Sequence, residues 1–396
     1  MAGQLEEADL LAADKLVPSP PELAKAFRSW LAQNRDSLQA LRPTESSFER
    51  KLGFARKIQR RLFDEGWVRY GWPAELGGLG GTAVHRAVVY NELALAGLGS
   101  RSALEHVEVL LPAIARHWTP ERLIDLMPRF LAADELWCQG FSEPGAGSDL
   151  AALRTKADRD GDGFRINGSK IWTSWAPYAR RCLLLARTGT FEERHRGLSM
   201  FVIDMHSEGI TVNPIRQANG VAELAEVFFD NVWIEDAELV GKEGDGWLVA
   251  MDVLACERSS FAWLRQTALY ERAKELALSA EEYDAAALGN VMLDLLAVRA
   301  SSAANVEQLS LGQFPGPSAA LTKLLLTQAD QSLYDAALAV LGPRLVLGQA
   351  DLANAVGWQE EYMFSRATSI YGGTKEMQLL TVARFLLGLD SAVRSK

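Results

Sequence analysis

The segments Trp137–Asp149, WCQGFSEPGAGSD, and Lys170–Ser174, KIWTS, decide the fold and the chemistry of this chain. The first reads as an apolar strand start that enters a loop of small residues. Gly145 and Gly147 allow backbone angles closed to other residues and let main-chain N–H groups approach a ligand. The second segment offers the flat face of Trp172 with two hydroxyl groups beside it. Either segment alone is more often an ordinary turn, but the pair in this order suits a flat polar ring with a phosphate-linked tail.

Both segments resemble those of a known family. Phe141–Asp149 resembles the FSEPGAGSD signature of acyl-CoA dehydrogenases, and Lys170–Ser174 resembles their second flavin-strand segment. The similarity runs from about Tyr70 to Leu387. It implies that FAD is bound by main-chain N–H groups and hydroxyls of the loop, with the tryptophan packed on the isoalloxazine ring. The cofactor-binding positions implied in this way are Phe141, Ser142, Gly147, Ser148, Trp172, Thr173, Ser174, Thr374 and Glu376.

Length, composition and charge restrict the class of protein. With 396 residues and 48% apolar residues, the chain can bury a large core. A net charge of −10, with both signs interspersed, argues against nucleic acid as a partner. No window approaches the apolar length of a membrane span, and the acidic N-terminus is unlike a signal peptide. Cys138, Cys182 and Cys256 lie in apolar stretches, as structural free thiols do, and no paired Cys/His spacing indicates a metal site. The predicted compartment is a reducing cytoplasm.

The hydrophobic period changes twice along the chain, from helical to β and back. This order predicts an α+β fold: an N-terminal helical domain over 1–135, with a mobile leader over 1–20, a middle antiparallel β barrel or sandwich over 136–240, and a C-terminal four-helix-bundle-like domain over 241–396. The family resembled has the same three-part architecture.

Turn and cap signals set several element boundaries. Thr119-Pro120 predicts a helix start, and Ser279–Glu282 reads as a capping box. Asp158–Gly163 and Asn167-Gly168 predict turns between short strands. The glycine-rich segment Gly71–Gly81 follows no predicted strand, so it reads as a connector rather than a nucleotide-binding loop.

The catalytic base is not where many family members keep it. Removing the α proton of an acyl-CoA requires a base, which in the family is a carboxylate often carried by a Tyr-Glu-Gly-Thr segment. Here that segment reads Tyr371-Gly372-Gly373-Thr374, so the carboxylate is absent while the Gly372 N–H, which the family uses on the thioester carbonyl, remains. The resemblance places both Gly372 and Gly373 at the substrate, together with Ser148.

Glu257 is the candidate base. Isovaleryl- and long-chain-type members carry the base as Glu-Arg on a helix, and Glu257-Arg258 matches that position. Val253, Phe261 and Leu264 share the predicted helix face of Glu257, and an apolar setting raises a carboxyl pKa toward the range of a general base. The alternative is that Glu257 only pairs with an arginine, such as Arg258 or Arg265. In the catalytic interpretation, Arg258 helps to shape the substrate site.

In the family, two segments of one subunit bind the adenine end of the FAD that the neighbouring subunit holds. Neither segment has a counterpart in this sequence. The Arg-x-x-Phe-Gly segment would fall near 280–289, where Glu281 and Glu282 have the wrong charge for phosphate. The Gln-x-x-Gly-Gly segment aligns with 339–343, where Ala339 replaces the glutamine and Pro343 lacks an N–H. These losses predict an α2β2 assembly with a homologous acyl-CoA dehydrogenase subunit, as in actinobacterial enzymes for bulky steroid side-chain thioesters, which this chain resembles. Drift within a homo-oligomer is the alternative.

The resemblance therefore implies α,β-dehydrogenation of an acyl-CoA, with FAD as hydride acceptor and an electron-transfer flavoprotein as the next acceptor. Two other functions stay open at this point. The chain could be a non-catalytic structural subunit, or it could use the same fold for different flavin chemistry, as desulfinases and monooxygenases do. The helix position of the base favours a branched, long or bulky acyl chain.

Overall fold

The computed structural model describes residues 17–42, 47–98, 104–278, 285–347 and 355–389. Of these, 17–92 and 104–253 form one compact unit, and 93–98 with 254–389 form a second. The first unit contains helices and a sheet, and the second contains helices. Among the described residues, no helix combines the length and apolar character that crossing a membrane requires.

The helices that precede the sheet in the chain begin in the first unit. They are α1 Pro20–Gln33, α2 Arg35–Gln39, α3 Phe48–Asp64, α4 Ala83–Leu95, α5 Leu104–His117 and α6 Pro120–Leu131. Thr119 precedes α6 as its N-cap residue and Pro120 occupies the first turn, as the sequence predicts. Leu123, Leu126 and Phe130 recur at spacings of three and four and form the buried face of this helix.

The sheet has eight strands. They are β1 Trp137–Gly140, β2 Lys156–Asp160, β3 Gly163–Ser174, β4 Arg181–Arg187, β5 Leu198–Asp204, β6 Ile210–Ile215, β7 Leu224–Glu235 and β8 Leu239–Val240. The order is β6-β7-β3-β2-β4-β5-β8, with β1 paired to β4. Most pairs are antiparallel, but β1 and β2 each pair with β4 in parallel. Phe164, Phe201 and Val227 are fully buried in the core of this sheet, and each such side chain contributes roughly 1.5–3 kcal/mol through burial.

Strand β3 differs from its prediction. The Asn167-Gly168 signal does not form a turn, because both residues lie inside the continuous strand β3. The register against β7 shifts between Ile166 and Gly168, so the sequence marked a bulge rather than a hairpin. The other predicted turn is confirmed, since Asp160 and Gly163 close the β2–β3 hairpin with Gly161 at φ +64°.

The second unit consists of helices. After α7 Gly246–Ala277, which starts in the first unit, come α8 Ala285–Ser310, α9 Pro317–Leu341, α10 Pro343–Leu347, α11 Ala355–Ser365 and α12 Lys375–Phe385. Arg265 on α7 forms buried ion pairs with Asp330 on α9 and Glu361 on α11, at 3.0 and 2.7 Å. This three-residue network fixes α7, α9 and α11 against one another.

The α+β fold class predicted from the sequence is confirmed, with several boundaries adjusted. Pro20 already begins α1, although the sequence places it in the leader. The carbonyl of Pro18 is 3.0 Å from His85 Nε2, and the rest of the predicted leader, 1–16, lies outside the described residues. The predicted capping box at Ser279–Glu282 also lies outside them. The connector at 71–81 is confirmed between α3 and α4, where Trp72 and Gly80 form an isolated bridge.

Candidate active site

The loop after β1 closes on itself. The N–H of Glu143 donates to the carbonyl of Ala146 at 2.9 Å, and the N–H of Ala146 donates back at 3.0 Å. Neither Gly145 nor Gly147 has a positive φ, so neither uses the unusual backbone angles that glycine allows. A Cβ built on either glycine meets nothing within 4 Å, so the protein leaves this side of the loop open. The second predicted reason, close approach of a ligand, is the one that fits.

A buried ion pair holds this loop. Lys170, fully buried on β3, donates to the carbonyl of Phe141 at 3.0 Å and to Glu143 Oε1 at 2.8 Å. Glu143 also accepts from the N–H groups of Arg154 and Thr155, at 2.6 and 2.8 Å. The sequence pattern did not assign either side chain a role. The sequence signal for this pair was Lys170, a charged residue at the start of an apolar strand segment.

The pKa values of this pair follow from burial and mutual attraction. Burial would raise the pKa of Glu143, but the charge and hydrogen bond of Lys170 leave it below its ordinary value. Burial lowers the pKa of Lys170 to about 8, although Glu143 opposes the shift. Both groups are therefore charged at neutral pH and hold the loop by a charge-assisted bond.

Trp172 is presented by a bulge in β3. The pairing with β7 shifts between Lys170 and Thr173, which gives β3 one extra residue there. Trp172 adopts φ +62° and is 58% exposed, uncommon for a large aromatic residue in a strand. The preceding N–H, that of Ile171, donates to the carbonyl of Ser142 at 2.9 Å and ties this strand to the loop. An exposed indole therefore lies on the strand that is bonded to the open loop.

The hydroxyl of Thr173 is the feature of this site that best fits a role in ligand binding. Thr173 is 1% exposed, and within the described part of the chain its Oγ1 has no hydrogen-bond partner. Such a group is costly unless something satisfies it. An exposed aromatic face, an open loop and an unsatisfied hydroxyl fit the ring of a flavin. Ser174 continues the strand opposite Leu224, and Ser148 is exposed at the end of the loop.

In the second unit, several side chains converge on Gly372. Arg258 Nε and Gln378 Nε2 donate to its carbonyl, at 2.9 and 3.3 Å. A Cβ built on Gly372 would lie 3.1 Å from Glu257 Oε1 and 3.5 Å from Lys323 Cε. The same glycine has φ +63°, a conformation that other residues rarely adopt. We call Glu257, Arg258, Lys323, Tyr371, Gly372 and Gln378 the Gly372 cluster.

Glu257 is partly buried, and burial raises its pKa, while the charges of Lys323 and Arg258 oppose the rise. In the described residues Glu257 forms no ion pair within 4.0 Å. The arginines that the alternative interpretation offers as partners are engaged elsewhere: Arg258 with the Gly372 carbonyl, and Arg265 with Asp330 and Glu361. A carboxyl group with a raised pKa and no ion-pair partner has the properties of a general base.

The remaining predicted residues have observable local roles. The hydroxyl of Thr374 accepts from the N–H of Met377 at 3.4 Å and so caps α12. Glu376 is exposed in the first turn of that helix. Gly373 has φ +90°, and a Cβ on it would lie 3.1 Å from Arg258. Pro343 opens α10 directly after α9 ends, and Glu281 and Glu282 lie outside the described residues.

Lys323 was missed by the sequence analysis. It lies on the buried face of α9 with Ala320, Leu326 and Asp330. The available signal was two charges seven residues apart, Lys323 and Asp330, on an otherwise apolar helix face.

Solved structures share this architecture. The ChsE4-ChsE5 complex from Mycobacterium tuberculosis superposes with a TM-score of 0.79 at 26% identity, covering 95% of this chain and 99% of that chain. The Tcur3481-Tcur3483 steroid ACAD gives 0.78 at 26% identity, covering 96% and 97%. Fold and site thus define an acyl-CoA dehydrogenase-like protein.

Sequence comparisons make the assignment specific. The N-terminal, middle and C-terminal domain models of acyl-CoA dehydrogenase match residues 25–134, 138–232 and 244–387. Acyl-CoA dehydrogenase IpdE1 of Mycobacterium tuberculosis is 35% identical over 379 residues, which cover 93% of this chain and 97% of the relative. IpdE1 of Mycolicibacterium smegmatis is 34% identical, covering 94% and 98%. The chain belongs to the acyl-CoA dehydrogenase family of oxidoreductases, whose members are flavoproteins.

Proposed function

We propose that this chain catalyses the FAD-dependent α,β-dehydrogenation of an acyl-CoA thioester, with Glu257 as the base for the α proton. The observation that carries the proposal is the distance from a Gly372 Cβ to Glu257 Oε1, 3.1 Å. Many relatives carry their base at the position of Gly372, and here the carboxylate of Glu257 reaches the same space from helix α7. Burial raises the pKa of Glu257 toward the range in which a carboxylate accepts a carbon-bound proton.

The ring of FAD would be held by the loop and bulge of the first unit. Phe141, Ser142, Gly147 and Ser148 would contribute the loop side, and Trp172, Thr173 and Ser174 the strand side. When bound, the flavin supplies the acceptor for the β hydride. The buried Thr173 hydroxyl, which lacks a partner among the described residues, supports this placement. Thr374 and Glu376 are further proposed contacts of the cofactor.

The N–H of Gly372 would polarise the thioester carbonyl, which makes the α proton more acidic. Arg258 and Gln378 fix the chain at that point by donating to the Gly372 carbonyl. Arg258 therefore shapes the substrate site through the backbone rather than by pairing with the base. Gly373 and Ser148 complete the proposed substrate contacts.

The direct test is the variant Glu257→Gln, which keeps the shape and removes the base. We expect normal flavin content and a loss of kcat of about 10²–10⁴-fold, the usual contribution of a general base. Glu307→Gln, an exposed carboxylate on α8, is the matched control and should keep wild-type kcat. Undiminished turnover in Glu257→Gln would remove Glu257 from the mechanism, and a wild-type complex that turns over no acyl-CoA would favour a structural subunit.

The proposed acyl group is bulky or branched, with a steroid side chain as the leading case. The helix position of the base supports this, as does the similarity to a protein described as a steroid ACAD. Kinetics with a steroid side-chain CoA thioester and a short straight-chain acyl-CoA test it. A higher kcat/KM for the short chain would contradict the proposal.

Reduction of an electron-transfer flavoprotein by the substrate-loaded complex would test the proposed electron acceptor.

We also propose that the chain works in an α2β2 assembly with a homologous subunit, in the cytoplasm, where its three buried cysteines stay reduced as thiols. Helix α12 supports assembly, because Gln378 is its only buried residue while apolar residues along the helix and beyond its end are exposed. The exposed apolar side chains are Met377, Leu379, Leu380, Phe385, Leu386, Leu387 and Leu389. A face of this size and character is typical of an interaction surface.

Flavin counting tests this assembly. The chain purified alone should hold well under one FAD per protomer, and co-purification with its partner should restore half as many flavins as subunits. Full stoichiometry in the chain alone would refute the heteromer. Phe385→Asp should weaken assembly with the partner, whereas Ile124→Asp, an equally apolar exposed site on α6, should not.

A further inference from the structure

Lys323 is a buried cation in an apolar helix face. It lies on α9, is 3% exposed, and its Nζ has no hydrogen-bond partner among the described residues. A buried ammonium without hydrogen bonds is costly, so its retention needs a compensating interaction. Ordinary packing would be served by methionine or leucine at this position.

The surroundings of Lys323 point to the candidate base. Its Nζ lies 3.7 Å from the centre of the Tyr371 ring, an attractive cation–π distance. Its Cε and the Oε1 of Glu257 approach the same point, the Cβ position of Gly372, at 3.5 and 3.1 Å. The side chains of Lys323 and Glu257 therefore both approach Gly372 at the point where any other residue would place its Cβ.

The other charges nearby are already engaged. On α7, Arg258 donates to the Gly372 carbonyl, and Arg265 is paired with Asp330 and Glu361. Asp330 is the other acid close to Lys323, and it accepts both of its charge-assisted bonds from Arg265. Asp330 is thus already paired with a cation, whereas Glu257 forms no ion pair among the described residues. The charge of Lys323 therefore acts mainly on Glu257.

We propose that Lys323 is a positioning residue for the base: its ammonium, held over Tyr371, stabilises the carboxylate form of Glu257, so that the base is ionised before the α proton is transferred. The proposal rests on the proposed function of Glu257. Lys323 itself takes no proton from the substrate in this step. The glycine at 372 is part of this arrangement, since a Cβ there would press on both Glu257 Oε1 and the Lys323 side chain.

The electrostatics agree with this arrangement. Burial raises the pKa of Glu257, and Lys323 is the stronger of the two cations that oppose the rise. Burial lowers the pKa of Lys323 to about 7, while Glu257 and Asp330 raise it and Arg258 and Arg265 lower it. Below about pH 7 Lys323 is protonated, so removing its charge should move the ionisation of Glu257 to higher pH.

The first experiment measures kcat/KM against pH for the wild-type complex, Lys323→Met and the control Lys274→Met, an exposed lysine on α7. We expect the acid limb of Lys323→Met to move up by about 1–3 pH units, as loss of an adjacent opposite charge does. Well below the acid limb, activity should fall by about 10–1,000-fold, which corresponds to a shift of 1–3 pH units, with little change on the alkaline plateau. Lys274→Met should follow the wild type. A flavin-loaded Lys323→Met complex with an unmoved acid limb overturns the proposal.

The second experiment needs no catalysis. Thermal unfolding at pH 6.5 is measured for the full-length wild-type chain, Lys323→Met, Glu257→Gln and the double variant, with Lys323→Gln replacing Lys323→Met should the latter not fold. Coupling predicts that Glu257→Gln lowers the Tm less when Lys323 is also replaced. Additive Tm shifts refute the role of Lys323 whatever Glu257 does. If the Tm shifts are coupled but Glu257→Gln turns over substrate at the wild-type rate, the proposed function of Glu257 is refuted, while the interaction between Lys323 and Glu257 is supported.

Discussion

Lys170 and Glu143 form an ion pair of 2.8 Å in the interior of the sheet unit, with side-chain exposures of 0% and 8%. The pair lies directly under the loop that is proposed to hold the flavin ring, since Lys170 also donates to the Phe141 carbonyl. Removing one member leaves a buried charge alone, which typically costs about 3–5 kcal/mol.

Lys170→Met should therefore lower the free energy of unfolding by about 3 kcal/mol or more and reduce flavin retention. Chemical denaturation and flavin absorbance of the purified complex measure the two effects. Adding Glu143→Gln should recover part of the stability, because it removes the stranded carboxylate. If the Lys170→Met chain has the same free energy of unfolding as the wild type, the ion pair does not stabilise the loop.

Thr173→Val should change stability and flavin binding in opposite directions: it should stabilise the flavin-free chain and weaken FAD binding. Its buried hydroxyl lacks a partner in the described structure, so the isosteric valine should stabilise the flavin-free chain by about 1 kcal/mol or more. The same change should weaken FAD binding, as measured by flavin released on dilution. Thr155→Val is the contrast, because the Thr155 hydroxyl donates to the Ser169 carbonyl at 3.3 Å and its loss should destabilise the chain. Stronger flavin binding by Thr173→Val would contradict the assignment of this hydroxyl to the cofactor.

Gly372→Ala should reduce activity more than stability. Its φ of +63° costs an alanine about 1–2 kcal/mol, and the added Cβ would press on Glu257 Oε1 at 3.1 Å. Gly312→Ala is a matched control, because Gly312 has φ +71° and a Cβ there meets nothing within 4 Å. Both variants should show a similar fall in Tm, but a drop in kcat of tenfold or more is expected for Gly372→Ala alone. Equal kcat values in the two variants would be evidence against a base beside Gly372.

His106 should make the chain sensitive to mild acid. Its ring stacks on Trp175 with centroids 3.7 Å apart, and its Nδ1 lies 2.5 Å from the carbonyl of Trp137. Burial lowers its pKa to about 4, against the opposing effect of that hydrogen bond. The unfolded chain therefore takes up the proton first, and stability contributed here falls as the pH drops from about 6.5 toward 4.

Denaturation between pH 7 and pH 4 should show His106→Gln losing less stability than the wild type, by roughly 2–3 kcal/mol, since one pKa unit corresponds to about 1.4 kcal/mol. His206→Gln, which replaces an exposed histidine, is the control for the loss of an imidazole. Identical slopes for His106→Gln and the wild type would place the acid sensitivity elsewhere.

Much of the fold could be predicted because its signals are local. The Thr119-Pro120 start of α6 and the predicted return to a helical period after residue 240 match the structure within a few residues. Asn167-Gly168 was misinterpreted because the same dipeptide that favours a tight turn also fits a bulge, and pairing with β7 decides between them. The Glu143–Lys170 and Glu257–Lys323 relationships join residues 27 and 66 positions apart, and only tertiary packing brings such residues together.

The two irregularities of β3 compensate each other. Between Ile166 and Gly168 the extra residue is on β7, and between Lys170 and Thr173 it is on β3, so the pairing slips by one position and then returns. A deletion that straightened one of them would leave the other uncorrected and would turn every later side chain of the strand to the opposite face. Homologues or designs that shorten this strand must therefore lose both bulges together, and with them the position from which the indole of Trp172 projects.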